Sequence, residues 1–143
     1  MPSYEIISHT ADIGLRVFGR DLAEFFSNAA DGMFHLMVEN VKGVKHRETV
    51  EVNLSGLSQE ELLVSWLSEL LYKLTEKHWL GIETEIFSLE KKGDKFFLRA
   101  KVQGQKIDYT KTPPKREIKA VTYHNLAIKK VESGYSTEII FDV

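Results

Sequence analysis

The sequence predicts an α+β fold, and three observations carry that prediction. Two segments repeat apolar residues at three- and four-residue steps, the spacing of a helix with one buried stripe. Several others alternate apolar and polar residues or concentrate β-branched ones, the pattern of half-buried strands. No repeat, low-complexity tract or interdomain linker interrupts the 143 residues. The expected architecture is a single compact domain, 1–143, with a mostly antiparallel or mixed β-sheet of about seven strands and two amphipathic helices on one face.

Each element has a local reason. Residues 4–8 and 13–18 read as short strands separated by His9-Thr10-Ala11-Asp12. Asp21 offers a helix N-cap, because its side-chain oxygen can accept from an otherwise unpaired early amide. Leu22, Phe25, Phe26, Ala29, Ala30, Met33, Phe34 and Met37 then recur at helical spacing. Residues 49–54 alternate, with Val50, Val52 and Leu54 on one face. Ser58 with Glu61 forms a capping box that opens a second helix. Its stripe is Leu62, Leu63, Trp66, Leu67, Leu70, Leu71 and Leu74, a core pattern rather than a ligand box. Strands at 82–89 and 95–102 flank Lys91-Lys92-Gly93-Asp94, a hairpin turn in which glycine can take positive φ. A loop around Thr112-Pro113-Pro114-Lys115 follows, then a long strand over 117–130, a turn at Ser133-Gly134 and a last strand over 136–142.

Composition narrows the functional classes. An apolar fraction of 43% and a charged fraction of 28% match an ordinary globular protein. A net charge of −2 argues against a dedicated nucleic-acid binder. The absence of cysteine removes disulfides, thiolate metal sites and cysteine nucleophiles together. No run approaches a membrane span, and residues 1–8 lack a signal peptide's pattern, so the expected location is the cytoplasm with no membrane association. The P-loop, dinucleotide and nucleophile-elbow motifs are missing.

The chemistry that remains sits near the two ends. Asp12 closes the first turn, and Gly14 follows where the backbone can bend around an ion. Asp142 is followed by Val143 and its α-carboxylate. If the fold joins the ends, as compact domains often do, three carboxylates make an oxygen site for a hard cation. Calcium tolerates irregular sets of this kind, and magnesium shares the preference for oxygen. Asp12 reads equally as an Asx turn or cap, and Asp142 as a solvated terminal residue. The histidines have no zinc spacing; His9 and His124 read as hydrogen-bonding sheet residues. The basic stretch Lys111, Lys115, Arg116 and Lys119 is either a phosphate-contact patch or a solvated loop.

Three motifs carry a resemblance. His9-Thr10-Ala11-Asp12-Ile13-Gly14 resembles a signature of the archease family, and so does Glu117-Ile118-Lys119-Ala120-Val121-Thr122-Tyr123-His124. The ending Ile139-Ile140-Phe141-Asp142-Val143 resembles the third. They stand in the family's order, and the resemblance spans essentially the whole chain. It implies an accessory protein, not itself an enzyme, that activates the RtcB-type RNA ligase of tRNA splicing and associates with tRNA only indirectly. The family promotes guanylylation of the ligase histidine, permits multiple turnovers and can widen the choice of nucleoside triphosphate. It also implies a metal held by Asp12, Asp142 and the Val143 carboxylate: a divalent cation, calcium first, with magnesium or manganese as alternatives. Lys119 and His9 become the candidates for contacting phosphate or the ligase. A chaperone-like module with a structural metal, acting on an RNA-modifying enzyme, is the alternative. A stand-alone phosphohydrolase lacks a visible nucleophile and base.

Overall fold

The computed structural model describes residues 3–8, 12–41 and 48–143. In chain order the elements are β1 (Tyr4–Ser8), β2 (Asp12–Gly19), α1 (Leu22–Met37), β3 (Glu48–Gly56) and α2 (Gln59–Thr75). There follow β4 (Trp79–Lys92), β5 (Lys95–Lys106), β6 (Ala120–Val121), β7 (Lys129–Val131) and β8 (Gly134–Asp142).

Both helices begin where side-chain capping dictates. The Asp21 carboxylate accepts the Glu24 amide at 2.8 Å, and the Ser58 hydroxyl accepts the Glu61 amide at 3.0 Å. Each bond satisfies one early amide that has no intrahelical partner. α1 is buried well beyond a single stripe, through Phe25, Phe26, Ala29, Ala30, Met33, Phe34, Leu36 and Met37. The reason is its position, since it packs against both β2 and β4. α2 packs on β3, β4 and β6, and its Trp66 indole donates to the Phe26 carbonyl at 3.0 Å, joining the helices inside the core. Trp66, Phe25, Phe26 and Phe141 are fully buried in one apolar cluster. No helix among the described residues is long and apolar enough to cross a membrane.

The α+β class holds, with the strands divided between two sheets. One runs β1-β2-β8-β6, with β7 also on β8; the other runs β3-β5-β4. Every pairing is antiparallel. The β4–β5 hairpin turns at Gly93 with φ 65°, a conformation that costs glycine no Cβ clash.

One expected element is not there. Residues 117–130 do not form a long strand; they contribute only the short β6 and β7, with a loop at 122–128 between them. β7 sets Lys129 opposite Ser136. An uninterrupted strand in that register would bring Tyr123 to Asp142, but Ala120 stands there instead. The extra residues are thrown out of the ladder by side-chain hydrogen bonds. The Thr122 hydroxyl donates to the Ile140 carbonyl at 2.9 Å and accepts the His124 amide at 3.3 Å, while Asn125 takes the left-handed region at φ 53°. Short polar side chains of this kind compete with ladder pairing for the backbone.

Candidate metal centre

The two aspartates singled out by the sequence meet through backbone pairing alone. β2 and β8 form an antiparallel ladder from Asp12↔Asp142 to Gly19↔Tyr135. Residues directly opposite in such a ladder project from the same face, with Cβ atoms about 5 Å apart. The alternation fixes which face this is. Ile13, Leu15, Val17, Ile139 and Phe141 are buried in the core, so the intervening positions, including Asp12 and Asp142, belong to the other side of the sheet.

Two carboxylates in register repel unless something positive lies between them. Neither aspartate makes an ion pair or a side-chain hydrogen bond among the described residues. More telling, the Oδ1 atom of Asp12 is buried without a hydrogen-bond partner among the described residues. A buried polar atom in that condition costs on the order of 1–3 kcal/mol. A hard cation would relieve both penalties at once, because it takes carboxylate oxygens as ligands. The residues present therefore fit a divalent ion.

The remaining residues of the expected site fall out unequally. Val143 follows Asp142 directly and is exposed. Among the described residues no three His, Asp or Glu side chains converge on one point. The candidate centre thus has two side-chain carboxylates, with Val143 next to them in sequence. Lys119 is brought beside the pair by the third strand, its backbone amide donating to the Asp142 carbonyl at 2.8 Å. Its side chain is exposed. His9 lies outside the described residues.

Two sequence readings change. His124 is not a sheet residue; it sits exposed in the 122–128 loop. The basic stretch does not act as one patch, because the Lys115 ammonium donates to the His35 carbonyl at 3.2 Å, in the last turn of α1. A cation there complements the negative end of the helix dipole. Sequence reasoning also missed the next charged rung on the Asp12 face, Arg16 opposite Glu138. Counting in twos from Asp12 would have found Arg16.

The fold and the paired carboxylates define a small α+β protein with a candidate cation centre at the end of its β2–β8 ladder. Residues 4–143 match the model of the Archease protein family (MTH1598/TM1083), and the chain belongs to that family. It is 35% identical to the protein archease of Pyrococcus furiosus over 144 residues, covering 100% of each chain. With that of Thermococcus gammatolerans it shares 40% over 134 residues, 94% of this chain and 93% of the other. The solution structure of Methanobacterium thermoautotrophicum protein 1598 superposes with a TM-score of 0.83 at 28% identity, covering 100% of both chains. A crystal structure of an archease from Thermotoga maritima, described as a possible chaperone, matches with a TM-score of 0.59 and 21% identity over 96% of this chain and 94% of that one. That last likeness concerns the fold alone.

Proposed function

We propose that this protein activates an RtcB-type tRNA-splicing RNA ligase, promoting guanylylation of the ligase histidine and multiple turnover, through a divalent cation held at Asp12, Asp142 and the Val143 carboxylate. Family membership and the three motifs support the partner. The orphaned, buried Oδ1 of Asp12, in register with Asp142, is the observation that carries the cation site. Calcium is the first candidate, with magnesium or manganese as alternatives.

The chemistry required is charge management. Transfer of a nucleotidyl group to histidine develops negative charge on phosphate oxygens, and a bound cation supplies compensating charge. The chain's own contribution is positional. The β2–β8 ladder holds Asp12 and Asp142 in register, and the amide of Lys119 fixes the Asp142 backbone from the other side. The exposed Lys119 side chain is then available to a phosphate or to the ligase surface. Binding preferentially to one ligase conformation would shift its population without any step on this protein.

The second reading is a chaperone-like module that protects or modulates its partner, with a structural cation. A purified ligation assay separates the two. With cognate ligase, GTP and divalent ion, substoichiometric addition of this protein is expected to raise the yield of guanylylated ligase and turn single turnover into multiple turnover. Under the chaperone reading, the gain would appear only as slower loss of ligase activity on heating, with unchanged turnover in fresh enzyme. An unchanged adduct yield across a range of ratios would sink the activation reading.

A further inference from the structure

We propose that the sheet face beside the Asp12–Asp142 pair binds a nucleoside triphosphate together with the divalent ion. The inference rests on the proposed cation centre and adds a ligand to it. Three rungs of the β2–β8 ladder lie along that face: Asp12 with Asp142, Gly14 with Ile140, and Arg16 with Glu138. At about 3.3 Å per residue, the aspartate rung and the arginine rung are roughly 13 Å apart. On β2 the position between them is glycine, which adds no side chain.

At the arginine end lies a cavity of about 360 Å³, lined by Arg16, His124, Asn125, Lys129, Glu138 and Ile140. A volume of that size suits a small ligand. Its outer wall is the 122–128 loop, held in place before any ligand arrives. The Thr137 hydroxyl donates to the Ala127 carbonyl at 2.8 Å, the Ile128 amide donates to the Glu60 carboxylate at 2.9 Å, and Thr122 is bonded to the Ile140 carbonyl. Among the described residues these bonds leave the His124 ring, the Asn125 amide and the Lys129 ammonium uncommitted.

The charges suit a polyphosphate. Lys129 makes no ion pair among the described residues. Arg16 reaches Glu5 at 3.4 Å and Glu138 at 3.7 Å, both long contacts between exposed side chains. Pairs of that kind contribute little, so the guanidinium is free to turn its fork to phosphate oxygens. A cation held by so few protein ligands keeps positions open, and hard cations commonly share those with phosphate. A lone phosphate cannot reach from the aspartates to Arg16, whereas an extended nucleoside triphosphate can. Glu138 and Asn125 then offer an acceptor and an amide to the ribose or base.

The test is calorimetric titration of GTP, and separately ATP, into the isolated protein in the presence of calcium. Saturable binding is expected. Arg16→Gln and Lys129→Gln should each weaken it by about tenfold or more, the loss of one charge-assisted contact, while leaving calcium affinity without nucleotide unchanged. Asp12→Ala should weaken both. Absence of saturable binding, or undiminished affinity in both the Arg16 and Lys129 variants, would overturn the inference. So would equal affinity for inorganic tripolyphosphate, or tighter binding of an oligoribonucleotide ending in phosphate. No ligase is present in these titrations, so their failure leaves the activation reading standing, and failure of activation leaves the nucleotide affinities as measured.

Discussion

The two sheets are built on different plans. The three-stranded sheet is long ladders throughout, with β5 paired along its length to β3 on one side and β4 on the other. The five-stranded sheet hangs on β8, which has a full ladder with β2 but only two short contacts on its other edge, β6 at one end and β7 at the other. The first plan gives a broad wall on which α2 packs. The second leaves a gap in the ladder, and that gap is where a loop forms a cavity beside Arg16 and Lys129, on the face that carries the paired aspartates. The site we propose falls where backbone pairing is incomplete, beside the full β2–β8 ladder.

The largest effect should come from damaging the helix that packs on the three-stranded sheet. Trp66→Ala removes a fully buried side chain and its bond to the Phe26 carbonyl. We expect a loss of about 3–5 kcal/mol in denaturant unfolding, in the range of large-to-small core substitutions. Metal affinity per folded molecule should stay as it was. A Trp66→Ala protein of unaltered stability would contradict the burial of Trp66 in the core.

Damage at the ladder's end should have the opposite profile. Asp12→Ala and Asp142→Ala are expected to fold, to lose thermal stabilisation by calcium and to lose ligase activation, with apo stability unchanged or raised because like charges are removed. Extending Val143 by one glycine turns its carboxylate into an amide. Weaker calcium binding with an unchanged circular dichroism spectrum is expected, and equal affinity would remove Val143 from the site.

Smaller effects sharpen the contrast. Thr122→Ala deletes the hydroxyl that ties the loop to Ile140, at a cost of about 1 kcal/mol. Faster amide exchange confined to 122–128 would be the matching signature. Asp31, on α1, supplies a test by pH. Burial pushes its carboxyl above the usual carboxylate range, His35 opposes this and Glu83 adds to it. A raised carboxyl favours the fold while protonated, and that contribution is lost as pH rises through the folded-state value. Asp31→Asn should therefore stabilise the protein at neutral pH, with the gain fading toward acid. A gain independent of pH would point to packing instead.

These differences also explain how far the sequence could be read. Alternation in residues 13–18 and 49–54 located β2 and β3, and Asp21 and Ser58 marked the helix starts, because those signals are local. The pairing of Asp12 with Asp142 was legible from chemistry, since two motif carboxylates near the ends needed only a ladder to meet. The division into two sheets was not, because α1 carries apolar residues around most of its girth and nothing in a strand names its neighbour. The 117–130 segment misled because Val121 and Thr122 have strand preferences, while the deciding hydrogen bond runs from Thr122 to Ile140, far along the chain. Arg16 and Lys129 escaped for the same reason: only the ladder shows that they share a cavity.

The β2–β8 ladder also sets a clock. It joins segments from opposite ends of the chain, so its formation must close a loop that encloses almost everything else. Loop-closure entropy grows with enclosed length, and folds rich in such distant pairings are slow. The β4–β5 hairpin closes a short loop, whereas facing Asp12 with Asp142 closes one that spans nearly the whole chain, so we expect that pairing to form late. In a refolding experiment, calcium affinity should be the last signal to return, lagging behind the recovery of strand and helix content.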